Sequence, residues 1–207
     1  FQHALVDTIY RVMTSPHEEV AALLPTVRII QPAGPGPGYQ MLPHVSIGDL
    51  TGLLERLQRL GSREDLSDLA ADLQLEADEL LPLVDAAVIL GLAVVQQGDL
   101  ILTALGRQFA EATVDGKKAI FRRQSLAHVT LIGEIVRRLD RAPGHRFGAE
   151  ALQRELEQFF SREEAARQLD TAVDWGRFSE LFAFDDDTGE FFLEFPDDTS
   201  DGEMTQQ

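Results

Sequence analysis

The sequence has no cysteine among its 207 residues, so it can build neither a disulfide framework nor a thiolate metal site. Cations are scarce too: 18 lysines and arginines face 35 aspartates and glutamates, a formal charge of −17. Nucleic acid and anionic membranes both demand a cationic surface, so neither is expected as the main partner. No apolar run approaches the roughly 20 residues that cross a bilayer, and no signal peptide opens the chain. A cytoplasmic location without direct membrane insertion is expected. The catalytic motifs are missing as well. The Gly116-Lys117 pair has Glu111 where a phosphate loop needs its first glycine, and no GxSxG occurs. His3, His17, His44, His128 and His145 show no metal-ligand spacing. His128 reads as a core or interface residue of an apolar helix. Asp185, Asp186 and Asp187 fail the calcium-loop pattern, because Gly189 falls at position five rather than six. They read as a hairpin tip. No catalytic residue, metal or cofactor is expected.

What is present is enough apolar residue, 44%, for one large domain or two small ones. The first residue is Phe1 rather than Met, which predicts a piece of something longer. Residues 1–30 read as an N-terminal helical segment, with Leu5, Ile9, Val12 and Met13 at helical spacing. Residues 31–40, "QPAGPGPGYQ", hold three prolines and three glycines. Such a stretch makes neither a helix nor a central strand, so it reads as a linker.

After the linker the elements come twice. Residues 41–114 predict helices over "SIGDLTGLLERLQRLG", "SREDLSDLAADLQL" and "EADELLPLVDAAVILG", then a hairpin "LAVVQQGDLILT" and a helix "ALGRQFAEA". Residues 115–195 predict a long helix "KKAIFRRQSLAHVTLIGEIVRRLDRA", a short one, a third from Ser161, and a hairpin "AFDDDTGEFFLEF". Residues 196–207 carry no apolar pattern and read as a disordered acidic tail. An echo supports the duplication. "LVDAAVILG" (83–91) and "QLDTAVDWG" (168–176) align when Val84 is set on Leu169, with Asp85/Asp170, Ala87/Ala172, Val88/Val173 and Gly91/Gly176 identical. Gly91 and Gly176 are expected to end their helices at positive φ. The expected fold is mainly α with small β-hairpins: two tandem winged-helix-like units after a helical segment and a Pro/Gly linker.

A winged helix that reads DNA sets its third helix in the major groove. Here the first third helix, 77–90, carries Asp78, Glu79 and Asp85 with no cation, and the second, 162–174, has a net charge of −2. Phosphates repel such helices, so a docking or sensing role is expected instead. One stretch departs from the acidic average. Between Gly116 and Arg146, eight cations face two carboxylates, a net of +6 that leaves −23 for the rest. Lys117, Lys118, Arg122, Arg123, Arg137 and Arg141 are the candidate partner-binding residues, for an acidic partner or an anion.

Several long segments together, "LPHVSIGDLTGLLERL", "REDLSDLAADLQLEADELLPLVDAAVILGLA", "LTALGRQFAEA" and "RQLDTAVDWGRFSELFAFDDDTGEFFLE", resemble the AAA-associated C-terminal domain. That domain follows the ATP-binding subunit of ABC transporters of the nitrate/sulfonate/bicarbonate/taurine type. "FQHALVDTIYRVMT" resembles the segment behind the ATPase core of such subunits. The resemblance implies a non-catalytic regulatory or docking domain, peripheral to the inner membrane through the transporter complex. Its implied partners are the ATPase core of the same subunit, a second copy of the chain, and the transporter's membrane subunits indirectly. A small-anion sensor and a DNA-binding regulator are the alternatives. None of the ATPase motifs is present to be carried over.

Overall fold

The computed structural model describes residues 38–193. The expected N-terminal helical segment, most of the linker and the acidic tail lie outside the described residues. Helix α1, Ile47–Arg59, starts where the Ser46 hydroxyl accepts the Asp49 N–H at 3.0 Å. Its Leu50, Leu53, Leu54 and Leu57 form the buried stripe that helical spacing requires. The chain leaves it through Gly61 and Ser62, at φ 97° and 70°, into strand β1, Arg63–Asp65. Asp65 caps helix α2, Leu66–Leu73, and helix α3, Ala77–Ile89, follows. Strands β2 (Ala93–Gln96) and β3 (Asp99–Leu102) complete the set. They turn through Gln97 and Gly98 at φ 54° and 92°, the two left-handed residues that favour a tight hairpin.

Helices α4 (Ala104–Glu111) and α5 (Val114–His128) lead on. The order then repeats: α6 (Thr130–Arg141), a single 3-10 turn, β4 (Arg146–Gly148), α7 (Ala149–Leu156), α8 (Arg162–Phe178), β5 (Ala183–Asp185) and β6 (Glu190–Phe192). Both sheets are antiparallel, and in both the last strand is central: β1-β3-β2 and β4-β6-β5. The expected class, mainly helical with small β-hairpins, is what the chain adopts. One apolar cluster runs through both sets, from Leu50 and Leu54 of α1 to Phe121, Trp175 and Phe191.

Three expectations are corrected. The long helix of the second set is two helices, broken at Val129 (φ −109°, ψ 100°). Val129 and Thr130 are both β-branched, which weakens helix there, and burial of Val129 fixes the bend. Each hairpin has a third strand, because Arg63–Asp65 and Arg146–Gly148 pair with β3 and β6 rather than extending a helix. Gly91 does follow its helix at φ +67°, but Gly176 lies inside α8. The left-handed residue of that helix end is Glu180, at φ 55°. It occupies the place that Gly91 has in α3: Leu92 N–H bonds the Ala87 carbonyl at 2.8 Å, and Leu181 N–H bonds the Gly176 carbonyl at 3.0 Å. Gly176 answers a different need, since a Cβ there would lie 2.2 Å from the Phe182 ring.

Candidate functional site

Residues 39–45 form a strap that crosses from α1 to the second set. Tyr39 donates its hydroxyl to Glu155 at 2.5 Å. The side-chain amide of Gln168, on α8, grips Leu42 at both ends. Its Oε1 accepts the Leu42 N–H at 2.7 Å, and its Nε2 donates to the Leu42 carbonyl at 3.0 Å. Leu42 and Gln168 are both buried. The His44 ring bridges two more α8 residues, Thr171 Oγ1 at 2.7 Å and Glu164 Oε1 at 2.8 Å. The strap therefore covers the flank of α8 that carries Glu164, Gln168 and Thr171, while Glu163, Arg167, Asp170 and Asp174 stay exposed on another face.

The strap also diverts a cap. Ser161 accepts the Glu164 N–H at 3.2 Å, as capping-box spacing predicts, but the Glu164 carboxylate points to His44 and Gln168 instead of closing the box. Burial raises the Glu164 pKa, yet hydrogen bonds from Gln168 and His44 outweigh it and hold the carboxyl below its usual range. At the other end of the strap, burial and then the hydrogen bond to Glu155 push the Tyr39 phenol above its ordinary value.

In the first set the corresponding helix, α3, is exposed at Asp78 and Glu79 in its first turn. An open groove of about 520 Å³ lies between its first two turns, the start of α1, the end of α2 and the strap. The acidic residues read from the sequence line it, Asp78 and Glu79 from α3, joined by Asp49 from α1.

The basic stretch is brought together, but mostly with carboxylates from elsewhere in the chain. Lys117 pairs with Glu55 at 2.5 Å. Lys118 and Arg122 both reach Glu180, at 2.7 Å and 3.0 Å. Arg122 Nε also donates to the Ser179 carbonyl at 2.6 Å, placing its charge on the negative C-terminal end of α8. The Lys118 hydrogen bond holds the Glu180 carboxyl below its usual range. Arg137 pairs with Glu134 on its own helix, and Arg138 with Glu134 and Glu155. Arg123 and Arg141 are exposed and have no ion pair among the described residues. No group of histidines and carboxylates that could hold a metal occurs among the described residues, and no described helix is long and apolar enough to cross a membrane.

A family model, the C-terminal AAA-associated domain, matches residues 67–185, from α2 to β5. The chain belongs to that family. No curated protein and no solved structure matches it. In this AAA-associated domain the match takes in both third helices, whereas the strap and α1 stand ahead of it.

Within the domain the aligned aspartates of the two third helices part ways. Asp170 is exposed, whereas Asp85 is mostly buried and has no hydrogen bond or ion pair among the described residues. Burial pushes the Asp85 carboxyl from 3.8 up to about 6. A carboxyl raised on folding costs nothing while protonated in both states, below about pH 4. It costs progressively more towards pH 6 and its full amount above that. Asp85→Asn should therefore exceed wild type in stability at pH 8 by about 1–3 kcal/mol, and the gain should vanish near pH 4. Urea midpoints at both pH values check this. An equal difference at each would mean that the carboxylate is not the cause.

Proposed function

We propose that this chain is a non-catalytic regulatory or docking domain of the ATP-binding subunit of an ABC importer for a small anion. In this reading the twice-repeated order of elements is a pair of winged-helix modules, used to hold protein partners rather than DNA. The observation that carries the reading is the state of the two third helices. One is strapped by residues 39–45, and the other presents Asp78 and Glu79 to an open groove. Membership of the AAA-associated family supports placing the domain beside an ATPase. The place of action would be cytoplasmic, peripheral to the inner membrane through the transporter complex. The ATPase core of the same subunit and a second copy of the chain are the proposed partners, with the membrane subunits reached indirectly.

The test is ATP turnover by the assembled importer, with the complete ATP-binding subunit and with one lacking residues 38–193. Turnover should change by about fivefold or more, the lower end of ordinary coupling between sites. The isolated chain should show no Mg-ATP binding by calorimetry. Equal turnover with and without the domain, or ATP hydrolysis by the isolated chain, would overturn the reading.

A further inference from the structure

The groove beside α3 has a floor, a wall of glycines and a charged rim, in which Asp49 and Glu79 are held, among the described residues, only by the Ser46 hydroxyl and the Glu76 N–H. Leu53, Leu73, Pro82 and Leu83 supply the apolar floor. Gly48 and Gly52, one helical turn apart on α1, supply the wall. Gly52 lies in the helix interior, where glycine is weakening, and Gly48 in the first turn. Neither has a positive φ, and a Cβ at Gly52 would meet nothing within 4 Å, while one at Gly48 would meet only the Ser46 hydroxyl at 3.6 Å. Nothing in the described chain needs that space.

Asp49, Asp78 and Glu79 form the rim, and none has an ion-pair partner among the described residues, in contrast to Glu55, Asp72, Glu134, Glu155, Glu164 and Glu180. Pro82, one turn on from Asp78, has no N–H to give the Asp78 carbonyl, which adds a backbone acceptor on the same side. An anion is a poor occupant. The N-terminal ends of α1 and α3 already use groups of their own, the Ser46 hydroxyl on the Asp49 N–H and the Glu79 carboxylate on the Glu76 N–H. The chain's remaining segments are poor occupants too, because residues 1–37 carry two arginines against three carboxylates and residues 194–207 carry five carboxylates and no cation.

We infer that the groove docks a basic amphipathic segment of another protein, its apolar side on the leucine floor and its lysines or arginines on Asp49, Asp78 and Glu79. The inference rests on the docking reading above and names the surface that such docking would use. Charge complementarity of this kind selects the partner and speeds encounter more than it adds affinity. The close wall at Gly48 and Gly52 admits a helix backbone that a larger side chain would hold off.

The probe is a synthetic peptide of about 15 residues with leucines on one face and lysines on the other, long enough to be helical when bound. An acidic peptide of the same leucine pattern is its control. Binding of the fluorescent basic peptide to the full chain should be micromolar, weaken with salt, and be absent for the acidic one. Gly52→Leu changes no charge, fills open space and strengthens the helix, so it should melt no lower than wild type yet bind about tenfold more weakly. Asp78→Asn with Glu79→Gln should weaken binding as well. Peptide binding untouched by Gly52→Leu would mean general attraction to an acidic protein and would overturn the groove. So would a wild-type dimer, seen by sedimentation, that Gly52→Leu dissociates, since the occupant would then be a second copy. If the peptide fails to bind while deletion of the domain still alters ATP turnover, the groove is lost and the docking reading stands.

Discussion

Gly106→Ala should melt about 6–12 °C below wild type, the effect of roughly 3 kcal/mol in a chain of this size. Gly106 is buried in α4, and a Cβ there would lie 1.9 Å from the Leu92 carbonyl oxygen and 2.9 Å from its carbon. That carbonyl cannot step aside, because it accepts the Thr103 N–H at 3.0 Å and the Thr103 hydroxyl at 3.1 Å. Moving it would break the junction between β2, β3 and α4. Gly176→Ala should cost less, because its obstacle is a side chain, the buried Phe182 ring at 2.2 Å. Shortening that ring with Phe182→Leu should recover part of the Gly176→Ala loss, and no part of the Gly106→Ala loss, since neighbours couple and distant sites add. Thermal unfolding of the three single and two double variants decides the matter. A Gly106→Ala protein that melts like wild type would disprove the close approach of α4 to Leu92.

Gln168→Ala should lower stability by about 2–4 kcal/mol, because it strands two backbone groups at once. The Leu42 N–H and carbonyl are held by one amide side chain, and both residues are buried. A buried donor or acceptor without its partner costs about 1–3 kcal/mol. The strap can escape that cost only by lifting off, which exposes Leu42, at a cost of about 2 kcal/mol. Hydrogen exchange at the Leu42 amide distinguishes this loss from general weakening of α8. Exchange there should accelerate far more than at the buried core of α3. Arg167→Ala is the control: Arg167 is exposed on the same helix and meets Glu164 only at 3.6 Å, so it should change stability by less than about 1 kcal/mol. If both variants behave alike, Gln168 does not hold the strap.

The parts of the fold that were legible in the sequence are those set by local pattern. Leucine spacing placed α1, Ser161 placed the start of α8, and the Gln97-Gly98 turn placed a hairpin. Strands β1 and β4 were not legible, because three residues show no alternation and gain their identity only from β3 and β6. The kink at Val129 was hidden by an apolar pattern that runs unbroken across it. Gly176 was read as a helix stop because it aligns with Gly91, yet its reason is the Phe182 ring, which is visible only after packing. The site suffered most from distance along the chain. Lys118 looked unneutralised because Glu180 lies 62 residues away, and the strap was invisible because Leu42 and Gln168 are separated by 126. Of the candidate docking features, only the acids of α3 were readable in advance. The glycine wall needed coordinates, since a helical glycine with open space beside it looks, in sequence, like any other.

The strap also decides which half of the molecule feels a pull. Chain entering at Gly38 does not meet the first set of elements at once. It is tied to α7 through Glu155 and to α8 through Gln168, Thr171 and Glu164 before it reaches α1 at Ile47. A tug at that end is therefore delivered first to the later half of the sequence, and the nearer half is sheltered until those ties give way. The strap works as a tether with its anchor on the far side, so displacement arriving from upstream would be transmitted across the molecule rather than along it.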